Sequence, residues 1–187
     1  AADAVTPIRQ MLPNIKFRKA QIIDINVKKK NVVLSQGFRR RLHNIDYDHL
    51  VVALGQDSNK SIVPGLEHHS FTMRTLEDAY NVRNHLIGCL ELADVTLDKK
   101  LKKRLLNIVV VGGGFSGVET IGELKEMSGR LLPYYKNISE NELKFHIVEF
   151  SDKLLPELAG NISEYTLSVF QKRKIKIHLN TALKEAS

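Results

Sequence analysis

The spacing of apolar residues changes period partway along the chain, and the change divides it into two kinds of structure. Residues 16–27 carry Phe17, Ala20, Ile22, Ile23, Ile25 and Val27, with alternation sharpest from Ile23 to Val27. A period of two puts successive side chains on opposite faces of a strand, so a first strand is predicted there. Lys28-Lys29-Lys30-Asn31 marks a turn, Val32-Val33-Leu34 a returning strand, Gln36-Gly37 a second turn, and residues 41–44 lead into a third strand. Short strands joined by tight turns predict an antiparallel meander. The block Leu50-Val51-Val52-Ala53-Leu54, ending at Gly55, is too short for a helix and predicts a strand buried on both faces.

Beyond Pro64-Gly65 the period becomes helical. Thr75 is a candidate N-cap, and Glu77 and Asp78 place two acids in the first turn, where they favour the positive end of the helix dipole. Leu76, Tyr80, Leu86, Ile87, Leu90, Ala93, Leu97 and Leu101 fall near one face, predicting a long helix broken near Asp94. Met73, Tyr80, Leu86 and the single cysteine, Cys89, are expected in the core. Asn107-Ile108-Val109-Val110-Val111 predicts a second buried strand, and residues 120–127 a helix. A strand at residues 143–148, a helix at 163–172 and a strand at 175–178 complete a β-α-β-α-β pattern.

The chemistry sits at the first strand–helix junction of that pattern. Gly112, Gly114 and Gly117 form G-x-G-x-x-G within Gly112-Gly113-Gly114-Phe115-Ser116-Gly117-Val118-Glu119. The spacing means little alone, but between a strand and a helix it is a dinucleotide-binding fingerprint. The first glycine permits the tight turn, the second lets the backbone approach a pyrophosphate, and the third lets the helix pack closely on the strand. Phosphate would then rest on the free N–H groups of the helix N-terminus. The fingerprint also asks for an acid at the end of the next strand, and Glu149 supplies it. An insertion over residues 128–141, with Pro133-Tyr134-Tyr135, accounts for its distance from the glycines. A carboxylate there accepts hydrogen bonds from a ribose and repels a 2′-phosphate, so NADH is predicted over NADPH.

Composition narrows the class. The 187 residues carry a net charge of +7 and are 43% hydrophobic, the balance of a folded globular protein. The excess charge gathers at Lys28-Lys29-Lys30, at Arg39-Arg40-Arg41 and between Lys99 and Arg104. These read as solvated turns and an exposed helix face. No helix-turn-helix, RNA-binding aromatic strand or zinc finger supports a nucleic-acid partner. One cysteine excludes an internal disulfide framework, and His68-His69 without supporting ligands reads as a loop, so no metal site is expected. Ala1-Ala2-Asp3-Ala4 lacks the basic start and apolar core of a secretory leader, which points to a reducing, cytoplasmic setting.

The run Val109-Val110-Val111-Gly112-Gly113-Gly114-Phe115-Ser116-Gly117-Val118-Glu119, followed by Gly122-Glu123-Leu124, resembles the NADH-binding motif of type II NADH dehydrogenases. These are FAD-dependent NADH:quinone oxidoreductases of the pyridine nucleotide-disulfide oxidoreductase superfamily. Tyr47-Asp48-His49 with residues 50–55 resembles the family's flavin-domain strand ending in A-x-G. Pro64-Gly65-Leu66, Thr75-Leu76-Glu77-Asp78-Ala79, Leu132-Pro133-Tyr134-Tyr135 and Leu154-Leu155-Pro156 also fit.

The resemblance implies an α/β fold: a Rossmann-like NADH-binding domain with a parallel sheet, plus an antiparallel meander from a flavin-binding domain. It implies a partial flavin region over residues 1–72, a crossover at 73–104 and an NADH domain at 105–187. With one glycine fingerprint where the family has two, the chain is expected to be an internal piece, inactive alone. Gly112, Gly113, Gly114, Phe115, Ser116 and Gly117 would hold pyrophosphate, Glu149 the ribose, and Ala53, Leu54 and Gly55 the flavin. Glu119 would lie near the hydride path, although a helix acid there could equally serve the dipole. Implied cofactors are NADH and, in the full-length parent, FAD. Implied partners are a quinone, a membrane surface on the cytoplasmic face reached through other parts of the protein, and a second subunit. A sulfide:quinone oxidoreductase, a ferredoxin or rubredoxin reductase, and a non-enzymatic NADH-binding module remain as alternatives.

Overall fold

A computed structural model describes residues 6–55 and 58–187. The chain divides into two compact units, the first running to Asp57 and the second starting at Ser58. Residues 58–72, expected with the flavin region, therefore cluster with the second unit.

In the first unit a short helix, α1 (Ile8–Met11), precedes strands β1 (Gln21–Asn26), β2 (Asn31–Gln36) and β3 (Arg41–Asp46). They pair antiparallel in the order β1-β2-β3, the expected meander. Its two turns place Lys30 and Arg40 in the left-handed region beside Gly37, so tight reversal is carried by basic residues as well as glycine. Residues 16–20 lie outside β1. They have no ladder partner, and apolar alternation alone does not extend a strand past its neighbour. Val32 and Leu34 of β2 are the unit's buried hydrophobic residues among those described.

Residues 50–55 depart from expectation. Among the described residues they form no strand, and Val51 is 85% exposed. A strand is defined by the neighbour that satisfies its N–H and C=O groups, and the sheet that the described residues of this unit form ends at β3. The run instead lines an apolar cleft of about 220 Å³ with Ile22, Ile25 and Val32.

The second unit begins with α2 (Leu66–His69), α3 (Leu76–Val95) and α4 (Lys99–Leu105). His68 and His69 end a short helix rather than sitting in a loop. Thr75 caps α3 in a reciprocal box: its side chain accepts from the Asp78 N–H, and the Asp78 carboxylate accepts from the Thr75 N–H. The break falls at residues 96–98, where Asp98 caps α4. Leu86, Leu90 and Ala93 are buried as expected, but Leu76, Met73 and Leu97 are exposed and Cys89 is only half-buried. The helical stripe ends before the break, so residues beyond Val95 follow a different axis.

Then come β4 (Asn107–Val111), α5 (Phe115–Leu131), β5 (Lys144–Val148), α6 (Gly160–Lys172) and β6 (Ile175–His178). The three strands are parallel in the order β4-β5-β6. Phe145 and Ile147 of β5, Ile121 of α5, Phe170 of α6 and Leu90 of α3 meet in one hydrophobic core. The insertion after α5 is mostly ordered helical turn, with 3-10 helices at Leu132–Tyr134 and Glu140–Glu142. Its polar groups are tied to α3, since the Tyr135 hydroxyl bonds Glu91 and the Asn137 N–H donates to Asp94. β4 is not buried on both faces: Val109 is 49% and Val111 51% exposed, whereas Ile108 and Val110 face the core. Helices cover one face of the sheet; the other presents Val109, Val111, His146 and His178.

Candidate functional site

β4 ends at Val111, and the backbone reverses at Gly112, whose φ of +104 favours glycine. The Gly112 N–H still donates to Val148 O (2.8 Å), so the turn starts from the edge of the sheet ladder. α5 begins three residues later with Gly114 as N-cap. A Cβ on Gly117 would lie 1.8 Å from Gly112 O, so the third glycine is what allows the helix to close against the turn. A Cβ on Gly114 would meet nothing within 4 Å, leaving open space beside its backbone.

The N-terminus of α5 is bare. No side chain caps it and its first turn holds no acid. The first helical bond is Val118 N–H to Gly114 O, so the N–H groups of Phe115, Ser116 and Gly117 have no helical acceptor. Phe115 and Ser116 are exposed. Free donors, open space and a positive helix end together form an anion cradle.

Glu149 follows β5 and is buried. Its carboxylate accepts from the Gly113 N–H (2.5 Å) and the Ser151 N–H (2.7 Å). Burial pushes its pKa up, but these backbone donors outweigh that, and the carboxyl is held below its ordinary value. Glu149 thus sits at the glycine loop, as expected, and also holds that loop from behind.

Gly113 has a task that the motif does not reveal. A Cβ there would meet Leu154 Cδ2 at 2.6 Å and Glu149 Cβ and Cγ at 3.0 Å. The Leu155 N–H donates to Gly113 O (2.8 Å), with Leu155 held at φ +51 and both leucines buried. The loop is therefore clamped between Glu149 and the segment 154–155. Three consecutive glycines were the sequence signal, since only two of them belong to the fingerprint.

Glu119 is the fifth residue of α5, past the first turn, exposed and without an ion pair or hydrogen bond among the described residues. Its placement does not serve the helix start as a first-turn acid would. Ala53, Leu54 and Gly55 lie in the first unit, exposed, with Gly55 at φ +72. No cluster of three or more metal-ligating side chains occurs among the described residues. No described helix is long and apolar enough to cross a membrane.

The chain is 30% identical over 192 residues to a probable mitochondrial NADH-ubiquinone oxidoreductase of Schizosaccharomyces pombe, covering 98% of this chain and 35% of the relative. It is 27% identical to the type II NADH:quinone oxidoreductase of Staphylococcus haemolyticus, covering 97% of this chain and 43% of that one. NDH2 from Plasmodium falciparum, solved in complex with NADH, superposes with a TM-score of 0.78 at 25% identity, covering 90% of this chain and 34% of that chain. The chain thus spans about a third to two fifths of the length of these relatives. The parallel β-α-β unit and its clamped glycine loop belong to a match that runs across residues 2–187, and by that match the chain is a member of the pyridine nucleotide-disulphide oxidoreductase family.

Proposed function

We propose that this chain forms the NADH-binding domain and part of the flavin region of a flavin-dependent NADH:quinone oxidoreductase. The observation that carries the reading is the uncapped N-terminus of α5 beside the Gly112–Gly117 loop, with Glu149 at its back. The residues fit the dinucleotide: open space at Gly114 admits a pyrophosphate, and the N–H groups of Phe115, Ser116 and Gly117 are free to bind it. Glu149 is ionised and keeps acceptor lone pairs beyond its two backbone bonds, so it can take a ribose hydroxyl while still bracing the loop. Gly113 keeps that brace in place. Glu119, unpartnered on α5, is free to orient the nicotinamide end.

When bound, the cofactors supply hydride transfer from the nicotinamide to the flavin and onward reduction of a quinone. Ala53, Leu54 and Gly55 fit a flavin contact only in part. They provide an open, glycine-ended edge but no phosphate-binding loop among the described residues. The relatives named for quinone reduction support the acceptor. Attachment to the cytoplasmic face of a membrane and pairing of two subunits belong to the same reading, through parts of the protein outside this chain.

The test is a titration of the 187-residue chain with NADH and, separately, NADPH, followed by cofactor fluorescence. Saturable NADH binding, with NADPH at least ten-fold weaker, is expected. The variant Glu149→Gln should narrow that preference while retaining one acceptor for the loop. Equal affinity for the two cofactors in the unaltered chain would remove Glu149 from the ribose site. Absence of NADH binding would overturn the assignment of the glycine loop.

A further inference from the structure

At the end of the parallel sheet opposite the glycine loop, an open cavity of about 340 Å³ lies where β5 and β6 begin. Lys125 from α5, Lys144 from β5, Lys174 from the turn after α6 and Lys176 from β6 line it. One carboxylate, Glu140, stands against these four lysines. Lys125 is built in: its side chain is 19% exposed, its ammonium lies 5.0 Å from the Phe145 ring centroid and 4.0 Å from Glu140. Among the described residues, Lys144, Lys174 and Lys176 have no carboxylate within 4.0 Å.

Solvated lysines are ordinary on a basic protein, but these line one concavity from four separate elements. Like charges gathered around a cavity repel, and a bound anion relieves that repulsion while gaining several charge-assisted hydrogen bonds. The amides of Asn141 and Gln171 in the same lining add neutral donors. The volume is at the small end for ligand sites, which suits a compact anion rather than a whole dinucleotide. The local potential is felt nearby: His146 is held below its ordinary pKa by burial first, then by His178, Lys176 and Lys144. Lys174 is exposed and held at φ +57, a conformation that glycine would adopt without strain.

We propose that the strand-start end of the parallel sheet is a binding site for a multiply charged phosphate group, held by Lys125, Lys144, Lys174 and Lys176. The group could belong to a small soluble phosphate or to an anionic lipid headgroup, which share this chemistry. The site is independent of the glycine loop and stands whether or not that loop binds NADH.

The experiment measures inorganic pyrophosphate by calorimetry and phosphatidic acid by vesicle co-sedimentation, with phosphatidylcholine vesicles as the blank and ionic strength held constant. The test variant is Lys174→Gly with Lys176→Gln. Glycine suits the backbone at 174 and residue 176 is exposed, so the fold should be kept, and a thermal melt no lower than that of the unaltered chain checks this. Lys99→Gln with Lys103→Gln removes the same charge from α4, at two residues outside the cavity lining. Saturable binding of either probe, weakened at least ten-fold by the first pair and less than two-fold by the second, is expected. The probe that binds identifies the source of the phosphate. Binding of neither probe, or equal weakening by both pairs, would overturn the proposal.

Discussion

Two runs of this chain are nearly alike in composition and end in glycine: Leu50-Val51-Val52-Ala53-Leu54-Gly55 and Asn107-Ile108-Val109-Val110-Val111-Gly112. The second is a strand, paired along its length with β5 and continued into the glycine turn by the Gly112 N–H. The first has no ladder and lies largely exposed beside a shallow cleft. Both glycines have positive φ, at +72 and +104, so the local backbone bias is shared. What differs is the neighbour. Apolar content makes a run able to be a strand, and a paired edge plus a helix above it makes it one.

That contrast can be broken deliberately. Val110 packs against the core of the second unit, whereas Val52 does not. Val110→Asp buries an unpaired carboxylate and should cost several kcal/mol, about 3 or more, seen as loss of the cooperative unfolding transition. Val52→Asp should lie within about 0.5 kcal/mol of the unaltered chain. If the two valines respond alike in denaturant melts, the structural difference between the runs is not real.

Smaller changes act at the turn itself. Gly117→Ala drives a methyl into Gly112 O and should destabilise by about 1–3 kcal/mol, while Gly114→Ala, facing open space, should barely move the midpoint. Glu149→Ala strips the buried Gly113 N–H and the part-buried Ser151 N–H of their acceptor, at about 1–3 kcal/mol, and should also abolish NADH binding. The pH dependence has a definite sign. The folded Glu149 carboxyl lies below its ordinary value, so its contribution is full above the usual glutamate range of about 4.3 and is lost as pH falls through the folded value. Acid titration of stability should therefore be shallower in Glu149→Gln than in the unaltered chain. A modest effect, about 1 kcal/mol, is expected at Thr75→Ala, because the cap of α3 also has Asp78.

The features readable from the sequence were those fixed by a few adjacent residues. Thr75 with Asp78 announced a helix start, Gly37 a turn, and Gly112, Gly114 and Gly117 a tight strand–helix junction, because each answers to local backbone geometry. The parallel order β4-β5-β6 followed from strands separated by helical spacing. The features not readable depend on what lies across space. Among the described residues, Val109 and Val111 are exposed because no helix of their own unit covers that face, and residues 50–55 do not pair because no strand lies beside them. Gly113, expected only as a pyrophosphate contact, has a packing constraint that comes from Leu154, a residue far along the chain.

The two sheets also differ in the length of chain between partners. In the meander, β1, β2 and β3 are joined by four-residue turns, contacts of the kind that close within microseconds. In the other sheet each pairing waits for a whole helix and its connections, so more chain entropy is lost before a contact forms. The glycine loop is shaped last of all, because it needs β4, β5 and the 154–155 segment together. By contact order the lightly buried hairpins close quickly and the parallel sheet slowly, so the clamped glycine turn exists only once that slower pairing is finished.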